Sequence, residues 1–223
     1  MKRFWAWAKA DSGERVLRLD GGISDCETWY GDEITPKQFR AELNAGTGDI
    51  SVWINSPGGD CFAAVQIFDM LKEYCGKVTV KVENAFSAAS VVAMAGDVIE
   101  ISSVGMFMIH NPYSLIEGDA EQLKSAANML EQVKESIINA YHAKTKLSRQ
   151  KLSEMMNSET WLNAQKAVEL GFADRIIGEE NQSTTARIFT PRTVKNSLRR
   201  ALGEGRGRIS TADFRRRLNS LEE

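Results

Sequence analysis

The sequence predicts an α/β domain in which a mostly parallel β-sheet is flanked by helices. Short β-rich segments alternate along the chain with segments of helical periodicity, which is typical of crossover connections between parallel strands. The chain has 223 residues, of which 43% are hydrophobic, so it is long enough to bury one sizeable core. The alternation ends near residue 177, and we therefore expect a domain over residues 1–177.

The first half of this domain carries clear local signals for strands and helices. Residues 15–20 alternate between apolar and polar side chains before a Gly-Gly break, as strands do. Thr35 is a favourable N-cap and Pro36 suits the first helical position, so a helix begins there. In chain order, the predicted elements are a strand over 15–20, a helix over 35–43, a strand over 49–54, a helix over 63–71 and a strand over 77–82.

The second half of the domain contains more helix. Residues 119–144 carry apolar side chains along one face at helical spacing, which predicts a long amphipathic helix. Gly171 is a suitable C-cap for the last helix. In chain order, the predicted elements are a helix over 87–95, short strands over 98–101 and 107–109, and helices over 119–144, 148–156 and 163–170.

Composition narrows the class of protein. A net charge of −2 and a pI near 5.9 give no reason to expect nucleic acid or a membrane as the main partner. Three cysteines at irregular spacing fit neither a disulfide framework nor a zinc site, so we expect free thiols in a reducing compartment. No segment approaches the roughly 18 apolar residues of a membrane span. These observations predict an intracellular, cytoplasmic protein.

The last part of the chain differs in character from the domain. Residues 178–190 are polar and weakly patterned, and residues 191–223 carry nine Lys and Arg against four Asp and Glu. Glycines between 203 and 207 argue against one continuous helix there. We therefore expect residues 178–223 to form a mobile or partly helical basic tail rather than a second domain.

Ser87 and His110 form the most informative pair in the sequence. Ser87 stands among small residues where an apolar helix begins, and His110 follows an apolar strand. A serine nucleophile needs a general base, and the only other histidine, His142, lies near the end of the long helix. Ser90, almost one turn further on, is expected to face the interior. Taken singly, Ser87 could line a packing seam and His110 could be a buried structural histidine.

Two further features could complete such a site. The loop 55–59, Asn-Ser-Pro-Gly-Gly, follows a strand and precedes a helix, which places it at the carboxyl end of the sheet. Its glycines would let a backbone N–H approach a reacting carbonyl, although the loop could equally be an ordinary turn. Glu159, between two predicted helices, is a candidate carboxylate for orienting the base. A capping or solvated glutamate is the alternative.

Four ordered motifs together resemble the Clp protease proteolytic subunit family. The motifs are Ile-Asn-Ser-Pro-Gly-Gly at 54–59, the serine segment at 85–96, Met-Ile-His-Asn-Pro at 108–112 and the segment from Trp161 to Asp174. The resemblance covers the chain to about residue 177. It implies a crotonase-like fold with a long protruding helix. It also implies a self-compartmentalising serine endopeptidase that forms homo-oligomeric rings.

The resemblance also implies a role for each site residue. Ser87 matches the nucleophile and His110 the base, whereas Gly59 and Ala88 match the residues whose backbone N–H groups form the oxyanion hole. Glu159 falls where the housekeeping enzymes carry an aspartate. A glutamate is chemically able to orient a histidine. No metal or cofactor is implied, and any ATP dependence would belong to a partner.

The N-terminal segments suggest a subfamily. Residues 4–7, Phe-Trp-Ala-Trp, and residues 29–36 look unlike the segment with which housekeeping subunits engage their ATP-driven unfoldase. They are more similar to the Clp-type proteases of tailed phages and prophages. That similarity implies cleavage of scaffold or capsid protein during prohead maturation in the host cytoplasm. The basic tail would suit a removable extension, and an unfoldase partner stays open.

Two other functions remain as alternatives. A crotonase-like fold could instead carry out acyl-CoA chemistry in the same oxyanion pocket. The chain could also be a catalytically silent assembly protein that lends its fold and basic tail to a capsid scaffold, and Glu159 in place of aspartate is consistent with that. A Ser/Lys peptidase is less favoured, because no lysine accompanies the serine motif.

Overall fold

The computed structural model describes residues 8–9, 15–26 and 33–177, and the tail expected over 178–223 lies outside the described residues. The strands are β1 (Ala8–Lys9), β2 (Arg15–Asp20), β3 (Gly22–Ile23), β4 (Glu33–Ile34), β5 (Ile50–Ser56), β6 (Val78–Phe86), β7 (Val98–Ile109), β8 (Thr160–Asn163) and β9 (Arg175–Ile177). The helices are α1 (Pro36–Leu43), α2 (Cys61–Lys72), α3 (Ala88–Ala93), α4 (Ala120–Thr145), α5 (Arg149–Asn157) and α6 (Ala164–Glu169).

A largely parallel sheet forms the centre of the fold. Its order is β1-β2-β5-β6-β7-β8, and β9 also pairs with β7. The neighbours β2, β5, β6 and β7 are mutually parallel, whereas β1 and β8 are antiparallel to their partners. Buried Ile and Val side chains recur along β5 and β6, as expected for strands covered by helices. The α/β class predicted from the sequence is confirmed.

Side-chain caps fix the starts of three helices, of which α2 begins at Cys61, two residues before the predicted start. Thr35 and Asp119 each form a capping box with a glutamine three residues later, and Asp60 caps α2 by accepting from the Ala63 N–H. The first turns of α4 are exposed, whereas its C-terminal half buries Ile137, Ile138 and Tyr141. No helix among the described residues is long and apolar enough to cross a membrane.

The structure differs from the sequence-based elements in β6, in β7 and in several short strands; β6 runs to Phe86, beyond the strand predicted over 77–82. The two short strands predicted over 98–101 and 107–109 are one strand, β7, interrupted where its pairing with β6 shifts register. Val104 in this interruption is 80% exposed, so the apolar pattern of a buried strand is lost there. The short strands β1, β3, β4, β8 and β9 were not predicted, because two to four residues are too few to show a period of two.

Candidate active site

Ser87 occupies a sharp turn between β6 and α3. Its backbone has φ 55° and ψ −126°, and positive φ is rare for a residue other than glycine. The Ser87 N–H donates to the Met108 carbonyl on neighbouring β7 at 2.8 Å, which holds the turn against the sheet. The side chain makes no capping hydrogen bond to α3. This geometry costs on the order of 1–3 kcal/mol and leaves the Ser87 hydroxyl available for chemistry.

His110 lies within hydrogen-bonding distance of this serine. It directly follows β7, and because β6 and β7 are parallel neighbours, their carboxyl ends lie side by side. The Ser87 Oγ and His110 Nε2 atoms are 2.7 Å apart. The structure therefore brings together the two residues that the sequence singles out. His142, by contrast, is exposed near the end of α4, and its Nδ1 atom lies 2.6 Å from the Leu147 carbonyl oxygen.

The environment of His110 favours its neutral form. Burial lowers the pKa of the imidazole below its ordinary value of 6.5, and the negative charge of Glu159 opposes this shift. Burial is the larger effect. At neutral pH one ring nitrogen is therefore unprotonated, and in the tautomer that carries its proton on Nδ1 the Nε2 atom can accept a proton from the Ser87 hydroxyl.

The negative charge of Glu159 acts on the imidazole although no hydrogen bond joins these two described side chains. It is exposed in the turn between α5 and β8, where its φ is 46°. Its Oε1 accepts a hydrogen bond from the Trp161 indole N–H at 3.3 Å. Among the described residues, no hydrogen bond joins Glu159 to His110. Glu159 acts on the imidazole through its charge in this geometry.

The glycine loop packs directly against the Ser87 turn. Gly58 has φ 87°, and a Cβ on it would lie 2.5 Å from the Phe86 carbonyl oxygen and 2.9 Å from the Ala88 nitrogen. Gly59 has φ 151°, and a Cβ there would lie 2.0 Å from the Ile23 oxygen. Only glycine allows both approaches. Within the described part of the chain, no residue accepts a hydrogen bond from the Gly59 or Ala88 N–H.

A buried polar network contacts the Ser87 turn from the protein interior. The Ser90 hydroxyl donates to the Ser87 carbonyl, and the Tyr141 hydroxyl lies 2.8 Å from the Ser90 oxygen. Burial raises the pKa of Tyr141, which keeps its hydroxyl protonated. Ser90 is fully buried, as the sequence predicts. The contribution of Tyr141 was missed, and its hydroxyl within the apolar face of α4 is the signal that could have found it.

Comparison with known proteins shows the family of this chain. The Clp protease family model matches residues 14–180, which is most of the chain. The chain belongs to the Clp protease family. It is 30% identical to the "ATP-dependent Clp protease proteolytic subunit 2" of Treponema denticola over 150 residues, covering 65% of this chain and 74% of that protein. It is also 26% identical to the "ATP-dependent Clp protease proteolytic subunit" of Borreliella afzelii over 170 residues, covering 75% and 85%.

A third relative extends the comparison. The proteolytic subunit of Porphyromonas gingivalis is 29% identical over 159 residues, covering 68% of this chain and 71% of that protein. Clp proteolytic subunits are serine-type peptidases, and this chain is an enzyme of that type. In the described ranges, no group of three or more His, Cys, Asp and Glu could hold a metal ion.

Proposed function

We propose that this chain is a serine endopeptidase that cleaves peptide bonds through an acyl-enzyme intermediate. The observation that carries the proposal is the 2.7 Å contact between Ser87 Oγ and His110 Nε2 at a strained strand-to-helix turn. A nucleophile within hydrogen-bonding distance of a neutral base is the arrangement that acyl transfer requires. Membership of the Clp protease family supports the same reaction.

In the proposed mechanism, His110 accepts the hydroxyl proton as Ser87 Oγ attacks the scissile carbonyl carbon. The carbonyl oxygen becomes an oxyanion, and the backbone N–H groups of Gly59 and Ala88 stabilise it. His110 then donates the proton to the leaving amine, and the C–N bond breaks. Water, deprotonated by the same imidazole, hydrolyses the acyl-enzyme and regenerates the Ser87 hydroxyl.

Glu159 is the proposed third member of the site. His110 becomes positively charged during each proton transfer, although burial disfavours that charge. The nearby carboxylate of Glu159 stabilises the imidazolium and so lowers the barrier. Because Glu159 is exposed, its contribution is smaller than that of a buried carboxylate in direct contact with the ring.

We infer that the substrates are proteins, and that the enzyme works as a homo-oligomeric ring in the cytoplasm. Relatives named "ATP-dependent" suggest that an ATP-driven unfoldase could deliver substrate. The finer assignment is a prohead maturation protease of phage or prophage origin. The finer assignment is supported by the sequences of residues 4–7 and 29–36 and by the basic tail. Scaffold protein, capsid protein or the tail itself would then be cleaved.

One observation favours a second candidate, a catalytically silent assembly protein. Glu159 replaces the expected aspartate and makes no hydrogen bond with His110 in the described part of the chain. A protein of that kind would keep the fold and lose the chemistry. The two candidates therefore differ in whether the Ser87 hydroxyl reacts.

The test has two measurements. Fluorescence reports hydrolysis of a fluorogenic peptide, and intact mass spectrometry reports cleavage of the protein's own tail. Wild-type protein and the control Ser103→Ala, an exposed serine of β7, should both cleave. Ser87→Ala should abolish both activities while leaving the circular dichroism spectrum unchanged. Cleavage by Ser87→Ala would overturn the mechanism. A wild-type protein that neither cleaves nor reacts with a fluorophosphonate would favour the silent candidate, and tight acyl-CoA binding in that case would favour acyl-CoA chemistry.

A further inference from the structure

Lys134 is a buried lysine that the proposed mechanism does not use. It lies on α4 and is only 8% exposed, and its ammonium group donates to Asn157 Oδ1 at 2.8 Å. Among the described residues, no carboxylate forms an ion pair with it. Burying an ammonium group beside a neutral amide is unfavourable compared with leaving it in water. Its placement therefore calls for a role other than stability.

The same amide oxygen connects Lys134 to the residue after the candidate base. Asn157 Oδ1 also accepts a hydrogen bond from Asn111 Nδ2 at 2.9 Å, and Asn111 directly follows His110. A carbonyl oxygen has two lone pairs, and these two donors occupy both. Lys134, Asn157 and Asn111 thus join α4 and the end of α5 to the His110 loop. We call these three residues the amide bridge.

The amide bridge also fixes which way the Asn111 side chain faces. Asn111 Oδ1 is buried and has no hydrogen-bond partner among the described residues. An unpaired amide oxygen favours rotation towards any available donor. The bond from Asn111 Nδ2 to Asn157 opposes that rotation, and Lys134 holds Asn157 in the orientation that makes this bond.

We propose that Lys134 is a positioning residue for peptide-bond cleavage, which holds the His110 loop through Asn157 and Asn111 so that the imidazole stays within reach of Ser87. The inference rests on the proposed function. Glu159 does not hold the ring by a hydrogen bond in the described chain. The ring of Tyr113 contacts the imidazole edge-on with centroids 5.8 Å apart, but Tyr113 is itself 42% exposed. Lys134 is the buried end of the amide bridge, and through Asn157 it is linked by hydrogen bonds to this loop.

The decisive variant is Lys134→Met, which keeps an unbranched side chain one atom shorter and removes the charge and the donors. Because a displacement of about 1 Å at a reacting group costs up to about 100-fold in rate, we expect kcat and the rate of fluorophosphonate labelling to fall about 10- to 100-fold. KM should change less than about twofold, since substrate contacts are untouched. Lys134→Arg keeps the charge and should recover part of the loss.

The matched control is Lys124→Met on the same helix, where the lysine is exposed and pairs with Glu121. It should label at the wild-type rate. If Lys134→Met does not fold, Asn157→Ala breaks the same link from an exposed position and should give the same loss of labelling. Equal labelling of wild type and the folded bridge variant would overturn the proposal.

A second readout observes the loop independently of activity. The chain has two histidines, so the imidazole C–H region of the NMR spectrum contains one reporter of the site and one internal control, His142. Lys134→Met should broaden or double the His110 resonance and leave His142 unchanged. A single, unshifted His110 resonance together with slower labelling would indicate a merely structural role and contradict the inference. Hydrolysis by Ser87→Ala would refute the proposed function instead, whatever the NMR shows.

Discussion

Replacing Gly58 with alanine would place a methyl group inside the turn that presents Ser87. The new Cβ would lie 2.5 Å from the Phe86 carbonyl oxygen, 2.8 Å from Ser87 Cβ and 2.9 Å from the Ala88 nitrogen. None of these atoms belongs to the far end of a flexible side chain, so the backbone itself must move. Gly58→Ala therefore displaces the nucleophile and one of the two proposed oxyanion donors together.

The loss of stability expected for Gly58→Ala has two contributions. A left-handed backbone, here φ 87°, costs about 1–2 kcal/mol for an L-residue. Overpacking against the Ser87 turn adds about 1–3 kcal/mol. Gly58→Ala should thus lower the free energy of unfolding by about 2–5 kcal/mol. A displacement near 1 Å should also slow the reaction of Ser87 by about 100-fold.

Gly48→Ala is the control variant that separates the cost of a left-handed backbone from the cost of overpacking against the Ser87 turn. Gly48 has φ 95°, but a Cβ on it would meet nothing within 4 Å. It should therefore lose only about 1–2 kcal/mol and react with a fluorophosphonate at the wild-type rate. Urea unfolding measures the free energy of unfolding. Intact mass spectrometry of the labelled protein measures the rate at which Ser87 reacts. If Gly58→Ala matched Gly48→Ala in both, the close packing of the glycine loop against Ser87 would be refuted.

Three further predictions concern charge, the buried network and a helix cap. Glu159→Gln removes the negative charge that raises the pKa of His110. The acid limb of the pH profile of kcat/KM should therefore move to lower pH by less than about one unit. Movement of this limb to higher pH would contradict the role given to Glu159. Ser90→Ala leaves the Tyr141 hydroxyl unpaired, and urea unfolding should show a loss of about 1–3 kcal/mol. Asp60→Ala removes the cap of α2 and should cost about 1 kcal/mol in the same assay, whereas no loss would count against that cap.

Much of the fold could be predicted because its signals are local. The strand over 15–20 and the start of α1 after Thr35 depend on alternation and capping, which neighbouring residues specify. The four-residue strand β8 depends instead on pairing with β7, more than fifty residues earlier in the chain. A local pattern cannot show such pairing, so Glu159 was expected between two helices and is found before a strand.

The site was predictable in part for the same reason. Ser87 and His110 each follow a strand, and parallel neighbouring strands bring their carboxyl ends together. Lys134 and Tyr141 were not recognised, because each looks like an ordinary member of a long amphipathic helix. Their partners, Asn157 and Ser90, lie far away in sequence, and only the tertiary structure brings them into contact.

The most direct test of the central claim is fluorophosphonate labelling of the full-length chain, with the modified residue located by peptide mapping. We predict a single adduct on Ser87, none in Ser87→Ala and slow formation in His110→Ala. The 2.7 Å contact between the hydroxyl and the imidazole is the basis for this expectation. Absence of an adduct, or an adduct on another serine such as Ser90, would contradict the assignment of Ser87 as the nucleophile.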